Sequence, residues 1–458
     1  MMNKQRKKWI SLLLTLAIGL SMILGSSGVA QAASYDQTKD AFIKCGDYLY
    51  NENEAPRFGS IGGEWIIYGL GHAGYAMRDS YLAAYRKSVE KALEEGYRGA
   101  KGIFHDKKFT EYSRVIVAMS AVGMDATDVD GYDLTAPLAD FVNVKWQGMN
   151  GPIWALIALD SGKYEMPKRT DAYAYGTLTP DETDRQNSRQ KMVDFILANQ
   201  FDDGGWNLQP KDNGGSGYNA ASDVDMTGMA LIALAPYSKQ AKVKKAIDRA
   251  ITYLSKQQQA EGGFGSWGTV NSESCAQVIC ALTACGVNPN TDKRFVKNGR
   301  SVIDGLMSFY DEKAGGFRHV NTASGGYEPV VNQMATEQAY YALAFFYTSV
   351  PDKAALTKAA KAGSGKLKVF WKQAEINTDY VTKQSGKTAT VSGYQIVCAT
   401  DKKFSKNVVK TTVNGESLSK TVTGLKKGKT YYVKVRAYKT VNGKKLYGLY
   451  SSVRKQKV

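Results

Sequence analysis

Cysteine is scarce and odd in number, five in 458 residues. Cys275, Cys280 and Cys285 follow at steps of five, and each step turns a helix by roughly 500°, so they share no face. They read as small buried hydrophobes, and no disulfide framework is expected. Long apolar runs are lacking too, apart from Trp9 to Leu24. That run follows Lys4, Arg6, Lys7 and Lys8 and precedes Ala30-Gln31-Ala32, the pattern of an export signal over residues 1–33. No other run is long enough to span a membrane. The expected product is therefore secreted and cell-surface-associated, without a transmembrane anchor. No Gly-Gly pair is followed by Lys-Ser/Thr, which removes phosphate loops.

Negative charge is missing from one end. Residues 361–458 hold 22 Lys and Arg against 4 Asp and Glu, although the whole chain carries only +17. A mildly acidic body thus carries a strongly basic tail. In an exported chain the natural counterpart is an anionic wall polymer, and nucleic acid is not expected.

What is abundant is a repeated unit. Asp203-Gly204-Gly205-Trp206 precedes Asp223-Val224-Asp225-Met226-Thr227 and an apolar helix that ends at Pro236. Gly262-Gly263-Phe264 precedes Ser272-Glu273-Ser274 and a helix over Val278–Leu282; Gly315-Gly316-Phe317 precedes Thr336-Glu337 and a helix through Leu343. From 34 to 350, charged amphipathic helices alternate with apolar ones. The first kind is expected near 37–50, 81–95, 134–142, 188–200, 242–258 and 295–310. The second is expected near 64–73, 112–122, 152–159, 225–234, 275–284 and 336–346. Six of each suggest an inner ring wrapped by an outer one, a mainly α, six-pair α/α toroid. Residues 351–365 read as a linker of small residues and lysines. After it the period changes from 3.6 to 2, and 366–458 reads as a small all-β immunoglobulin-like sandwich.

These motifs resemble the prenyltransferase and squalene-oxidase repeat superfamily, the terpenoid-cyclase-like toroid, over roughly 36–348. Gly59-Ser60-Ile61-Gly62-Gly63-Glu64-Trp65, Asn150-Gly151-Pro152-Ile153-Trp154 and Asn271-Ser272-Glu273-Ser274 are similar to its exported Gram-positive members. Trp371 and Leu425-Lys426-Lys427-Gly428-Lys429-Thr430-Tyr431 resemble a fibronectin type III core Trp and tyrosine-corner strand. The superfamily resemblance implies a fold that hosts both enzymes and binders. Its zinc enzymes need an Asp/Cys/His site, and His72, His105 and His319 follow none of that spacing. Its thioester proteins need Cys-Gly-Glu-Gln, and Ala335-Thr336-Glu337-Gln338 lacks the Cys. No metal and no cofactor are expected.

The catalytic candidates are Asp225 and Asp223. Class II terpene cyclases carry Asp-x-Asp-Asp, whose middle Asp protonates an alkene; Asp225 matches it, Asp223 matches the first acid, and Met226 replaces the third. The structural alternative is a helix cap at Asp223 and a first-turn acid at Asp225. Glu64, Glu111, Asp225, Glu273 and Glu337 open five apolar helices and should ring one mouth of the toroid. Together they suit a cation or a paired-carboxylate, glycan-active site. Trp65, Tyr68, Trp154, Trp206, Trp267, Phe317, Tyr340 and Tyr341 lie on apolar helices or their leading turns, as cavity linings or as plugs. The ligand-binding set is accordingly Glu64, Trp65, Tyr68, Trp154, Glu273, Glu337, Tyr340 and Tyr341. The leading expectation is a binding protein for a neutral or cationic ligand with an apolar body, a small molecule or a peptide. A class II cyclase-like enzyme using Asp225 as proton donor, or a glycan-active α/α-toroid enzyme, is the alternative.

Overall fold

The structure, a computed structural model, describes residues 35–170, 184–211, 221–376 and 390–458. The expected export signal lies outside them. Among the described residues, no helix is long and apolar enough to cross a membrane.

The α-helices are α1 Tyr35–Glu52, α2 Trp65–Ala73, α3 Asp79–Glu95, α4 Thr110–Ala121, α5 Phe141–Lys145 and α6 Asn150–Ser161. They continue as α7 Arg189–Ala198, α8 Val224–Leu234, α9 Ala241–Gln257, α10 Ser272–Ala284, α11 Val302–Met307 and α12 Gln333–Ser349. The charged members bury one face only. On α3 that face is Tyr81, Tyr85, Val89 and Leu93, spaced four apart. The apolar members α2, α4, α6, α8, α10 and α12 each contact the next, and α12 contacts α2. The helix expected over 295–310 is shorter, because Asn298 and Gly299 take positive φ in a tight turn. A capping box of Ser301 and Asp304 then starts α11.

The repeat has a physical grammar. Two outer helices, α7 and α9, are followed by a glutamine whose amide ties the Gly-Gly turn down. Gln200 Nε2 donates to Gly204 O at 2.8 Å, and Gln258 Nε2 donates to Gly262 O at 3.0 Å. Gly262 has φ +88°, and a Cβ there would lie 2.2 Å from Ser301 O, so no other residue fits. The aromatic that follows is fully buried, and its N–H is accepted by the first turn of the next inner helix. Thr227 Oγ1 accepts from Trp206 at 3.0 Å, Thr336 Oγ1 from Phe317 at 2.9 Å, and Cys275 Sγ from Phe264 at 3.3 Å. Cys275 thus does the work of a threonine. All five cysteines are buried and free.

The β region holds two sheets, β5-β6-β9 and β11-β10-β7-β8, with β12 also paired to β10. Their strands are β5 Ala355–Lys361, β6 Leu367–Lys372, β7 Gly393–Ala399, β8 Val409–Asn414, β9 Ser419–Val422, β10 Thr430–Val441, β11 Lys444–Tyr447 and β12 Arg454–Lys457, numbered after four two-residue strands in the helical region. The linker expected over 351–365 is a correction: β5 lies within it and pairs antiparallel with β6. Leu356 turns inward while Lys358 and Lys361 stay exposed, so small size and charge did not mean a free tether. Trp371 is buried against Tyr394, and Lys426 N–H donates to the Tyr431 hydroxyl at 3.0 Å. The β10–β11 hairpin docks on the C-terminal ends of inner helices. Asn442 Nδ2 donates to Ala284 O at 2.9 Å and Lys439 Nζ to Thr348 O at 2.7 Å. The opposite end, where the inner helices begin, remains available for a site.

Candidate active site

The N-termini of α8, α10 and α12 bound a cavity of about 370 Å³. A hairpin of β1 Gly265–Ser266 and β2 Thr269–Val270, and the stretch after β4 Gly316–Phe317, complete its walls. Asp225, Glu273, Gln277, Gln338, Ser266, Trp267, His319 and Tyr327 are among the residues that line it.

Asp223 is the N-cap of α8: its Oδ1 accepts the Met226 N–H at 2.9 Å. Its Oδ2 accepts the Ser266 hydroxyl, which fastens the β1–β2 hairpin to the helix. Asp225, two residues on and still in the first turn of α8, is freed from capping. Among the described residues its Oδ1 is buried without a hydrogen-bond partner. Burial first, and then the neighbouring Asp223 charge, push its carboxyl up to about 7, with the Ser274 and Ser266 hydroxyls offsetting part of the rise. Glu273 Oε2 accepts from Ser272 Oγ at 2.9 Å and lies 2.8 Å from His319 Nδ1; its Oε1 is buried without a partner.

The other acids are brought elsewhere. Glu64 is fully buried and ion-paired to Arg114 at 2.8 Å. It also accepts from Gly59 N–H at 3.1 Å and from the Tyr85 hydroxyl at 3.2 Å. Burial raises its carboxyl, and Arg114 offsets part of that. Arg114 also holds Glu111, at 2.7 Å. Glu337 Oε1 accepts the Gly62 N–H at 2.8 Å; burial lifts its carboxyl to about 7, and its Oε2 has no partner among the described residues. The expected ring of equivalent acids is thus split. Asp225 and Glu273 share the cavity, and Glu64, Glu111 and Glu337 serve the turn before α2.

The aromatic expectations need correcting too. Trp65 packs tilted against Trp154 with ring centroids 5.2 Å apart, tilted against Tyr341 at 5.9 Å and edge-on to Tyr68 at 6.1 Å. These rings pack on one another across α2, α6 and α12, and Trp65 and Trp154 stay partly exposed. Tyr340 points the other way, stacked on Phe42 of α1 at 5.1 Å. Tyr341 still reaches the cavity floor, where its hydroxyl donates to Gln338 Oε1 at 3.2 Å and accepts from Gln277. Ser266, Gln277, His319, Tyr327 and Gln338 were not anticipated. One signal was available: histidine is rare here, three in all, and only His319 joins a carboxylate in this cavity. Trp267, counted among turn aromatics, is 66% exposed at the hairpin tip and forms part of the rim.

Residues 172–322 match the family model of the squalene-hopene cyclase C-terminal domain. No curated protein matches the chain. Solved structures similar to it include the FN1–FN3 domains of chicken CNTN1, at 21% identity over 24% of this chain and 31% of that one, TM-score 0.18. Ent-copalyl diphosphate synthase from Streptomyces platensis is similar at 21% identity over 62% of this chain and 50% of that one, TM-score 0.37. The type II terpene cyclase MstE from Scytonema is similar at 12% identity over 68% and 97%, TM-score 0.41. The chain therefore spans about a third and half of the first two. The helical region is terpenoid-cyclase-like, and a separate small β region follows it. If the chain is catalytic, its fold belongs with the class II cyclase-like enzymes.

Proposed function

We propose that the helical region is a six-pair α/α toroid whose mouth cavity is an acid-catalytic site, with Asp225 as proton donor. The observation that carries this is the buried Asp225 carboxyl in the wall of a cavity, one oxygen of which, Oδ1, has no hydrogen-bond partner among the described residues. A carboxyl held neutral near pH 7 by burial can give its proton to an alkene or another acid-sensitive group. The π electrons form the new C–H bond, positive charge develops on the neighbouring carbon, and later loss of a proton returns the carboxyl to its starting state. The net reaction is isomerisation or cyclisation. Asp223 is bound to Ser266 and the helix terminus, so its part is to hold the donor's helix and hairpin in place. At about 370 Å³ the cavity lies at the small end of ligand sites, ~300–1,000 Å³, which favours a short substrate over a long polyprene.

The test is product analysis with linear isoprenoid alcohols. Wild-type protein should form cyclic or isomerised product, and Asp225→Asn should lose about 100-fold or more of the rate with its fold intact. No product from the wild type at high enzyme concentration sinks the reading. The sequence supports a setting for this activity, an exported protein held at an anionic wall by its basic β region. There Lys434 lies between Phe404 and Tyr450, and Arg436 between Tyr450 and Tyr447. Added salt should release the full chain from isolated walls, because screening weakens exposed charge attraction. Retention unchanged by salt rules that setting out.

A further inference from the structure

The acid mechanism uses one carboxyl of the mouth cavity and leaves Glu273 without a role. Glu273 is 6% exposed, and its Oε1 has no hydrogen-bond partner among the described residues. Asp225 Oδ1, in the same wall, has none either. No lysine or arginine is among the residues that line the cavity, and His319 is engaged with the other Glu273 oxygen. Buried acceptors left unfilled are costly, and here the missing partner is a donor, preferably a charged one. Aromatic groups supply a second, independent sign. Trp267 is 66% exposed and Tyr327 53% exposed, both on the cavity rim, and Tyr327 lies 4.3 Å from the His319 ring. Exposed aromatic faces beside an acidic opening attract organic cations. Met229 and Met334 add apolar, adaptable surface for a hydrocarbon body.

We propose that this cavity takes a small organic ammonium ion, a protonated amine whose N–H groups pair with Glu273 while its hydrocarbon body lies toward Asp225 and Met229. The inference deepens the acid-site reading and rests on it for one point only, that the body is unsaturated. The ammonium contact stands on Glu273 and the aromatic rim. The same observations disfavour a diphosphate head, which would meet carboxylates with no lysine or arginine among the described lining residues. The titratable groups that line the cavity are Asp225, Glu273, His319 and Tyr327, with Asp223 beside Asp225. As Asp225 ionises above about pH 7, the cavity gains negative charge while the amine stays protonated, so binding tightens from pH 6 to pH 8.

The experiment is calorimetry on the full chain at pH 8 with three probes of one shape: geranylamine, geraniol and geranyl monophosphate. The amine should bind about tenfold or more tighter than the alcohol, and the phosphate weakest. Glu273→Gln should remove the amine's advantage and leave geraniol unchanged. Trp267→Ala, at an exposed position that does not threaten folding, should weaken the amine about threefold or more. Thermal melts check that both variants fold. Alcohol or phosphate matching the amine, no amine binding at millimolar concentration, or an amine affinity unchanged by Glu273→Gln would each overturn the proposal. Failure to find turnover would sink the acid mechanism alone, because calorimetry needs no reaction.

Discussion

Glu64 and Asp225 occupy almost the same station, the first residues of inner helices, and their surroundings are opposite. Glu64 is fully buried and saturated: Arg114 supplies a cation, Gly59 a backbone N–H and Tyr85 a hydroxyl. Asp225 is left with an unpartnered oxygen and acids as its charged neighbours. One carboxylate closes a turn and the other faces a cavity. Helix-dipole complementarity acts on both and so explains neither difference. What separates them is the partner delivered from elsewhere in the chain.

The comparison can be broken most forcefully at Arg114. Arg114→Met strands a buried carboxylate and should cost about 3–5 kcal/mol in urea unfolding. A loss below about 1 kcal/mol would mean that Glu64 is no better satisfied than Asp225. The two aromatic environments come next. Trp154→Ala opens the packed cluster with Trp65 and should cost about 3 kcal/mol. An unchanged melting temperature would show that the cluster is a pocket after all.

The pH dependence is smaller. Asp225 and Glu337 have folded-state carboxyls raised to about 7, above their ordinary range. The native state then holds more protons than the unfolded chain between roughly pH 4 and 7. Stability from these groups is full below that window and is lost as pH rises through 7. Asp225→Asn should flatten its share of this fall by about 1–2 kcal/mol, measured as wild type minus variant in urea melts at pH 5 and 8. An equal slope in both would place Asp225 in ordinary solvent. Smallest of all, Trp267→Ala should change stability by no more than about 0.5 kcal/mol, since that ring is exposed. A larger loss would make it a second packed tryptophan.

Much of the fold was legible because it is local. The Gly-Gly-aromatic turns, the alternation of charged and apolar helices, and the change of period after residue 366 all follow from patterns within a few turns of chain. Asp223 as a cap and the cysteines as buried hydrophobes were readable for the same reason. Legibility failed where spacing says nothing of direction. Tyr340 and Tyr341 are adjacent on α12, yet one packs outward on Phe42 and the other reaches Gln277 and Gln338. Composition also misled at 351–365, where lysines and alanines form strand β5 because β6 provides its hydrogen bonds.

By itself, then, the sequence determined the repeat, its capped and apolar helices, and which acids begin them, since helix periodicity and turn geometry are short-range. Only the tertiary structure decided which acids are neutralised. Arg114 reaches Glu64 as a cation from 50 positions away and His319 reaches Glu273 as a hydrogen-bonding ring from 46, while Asp225 receives no lysine or arginine among the described residues. A carboxylate's protonation and availability depend on what is packed within a few ångströms of it, and that company comes from residues far apart in the chain.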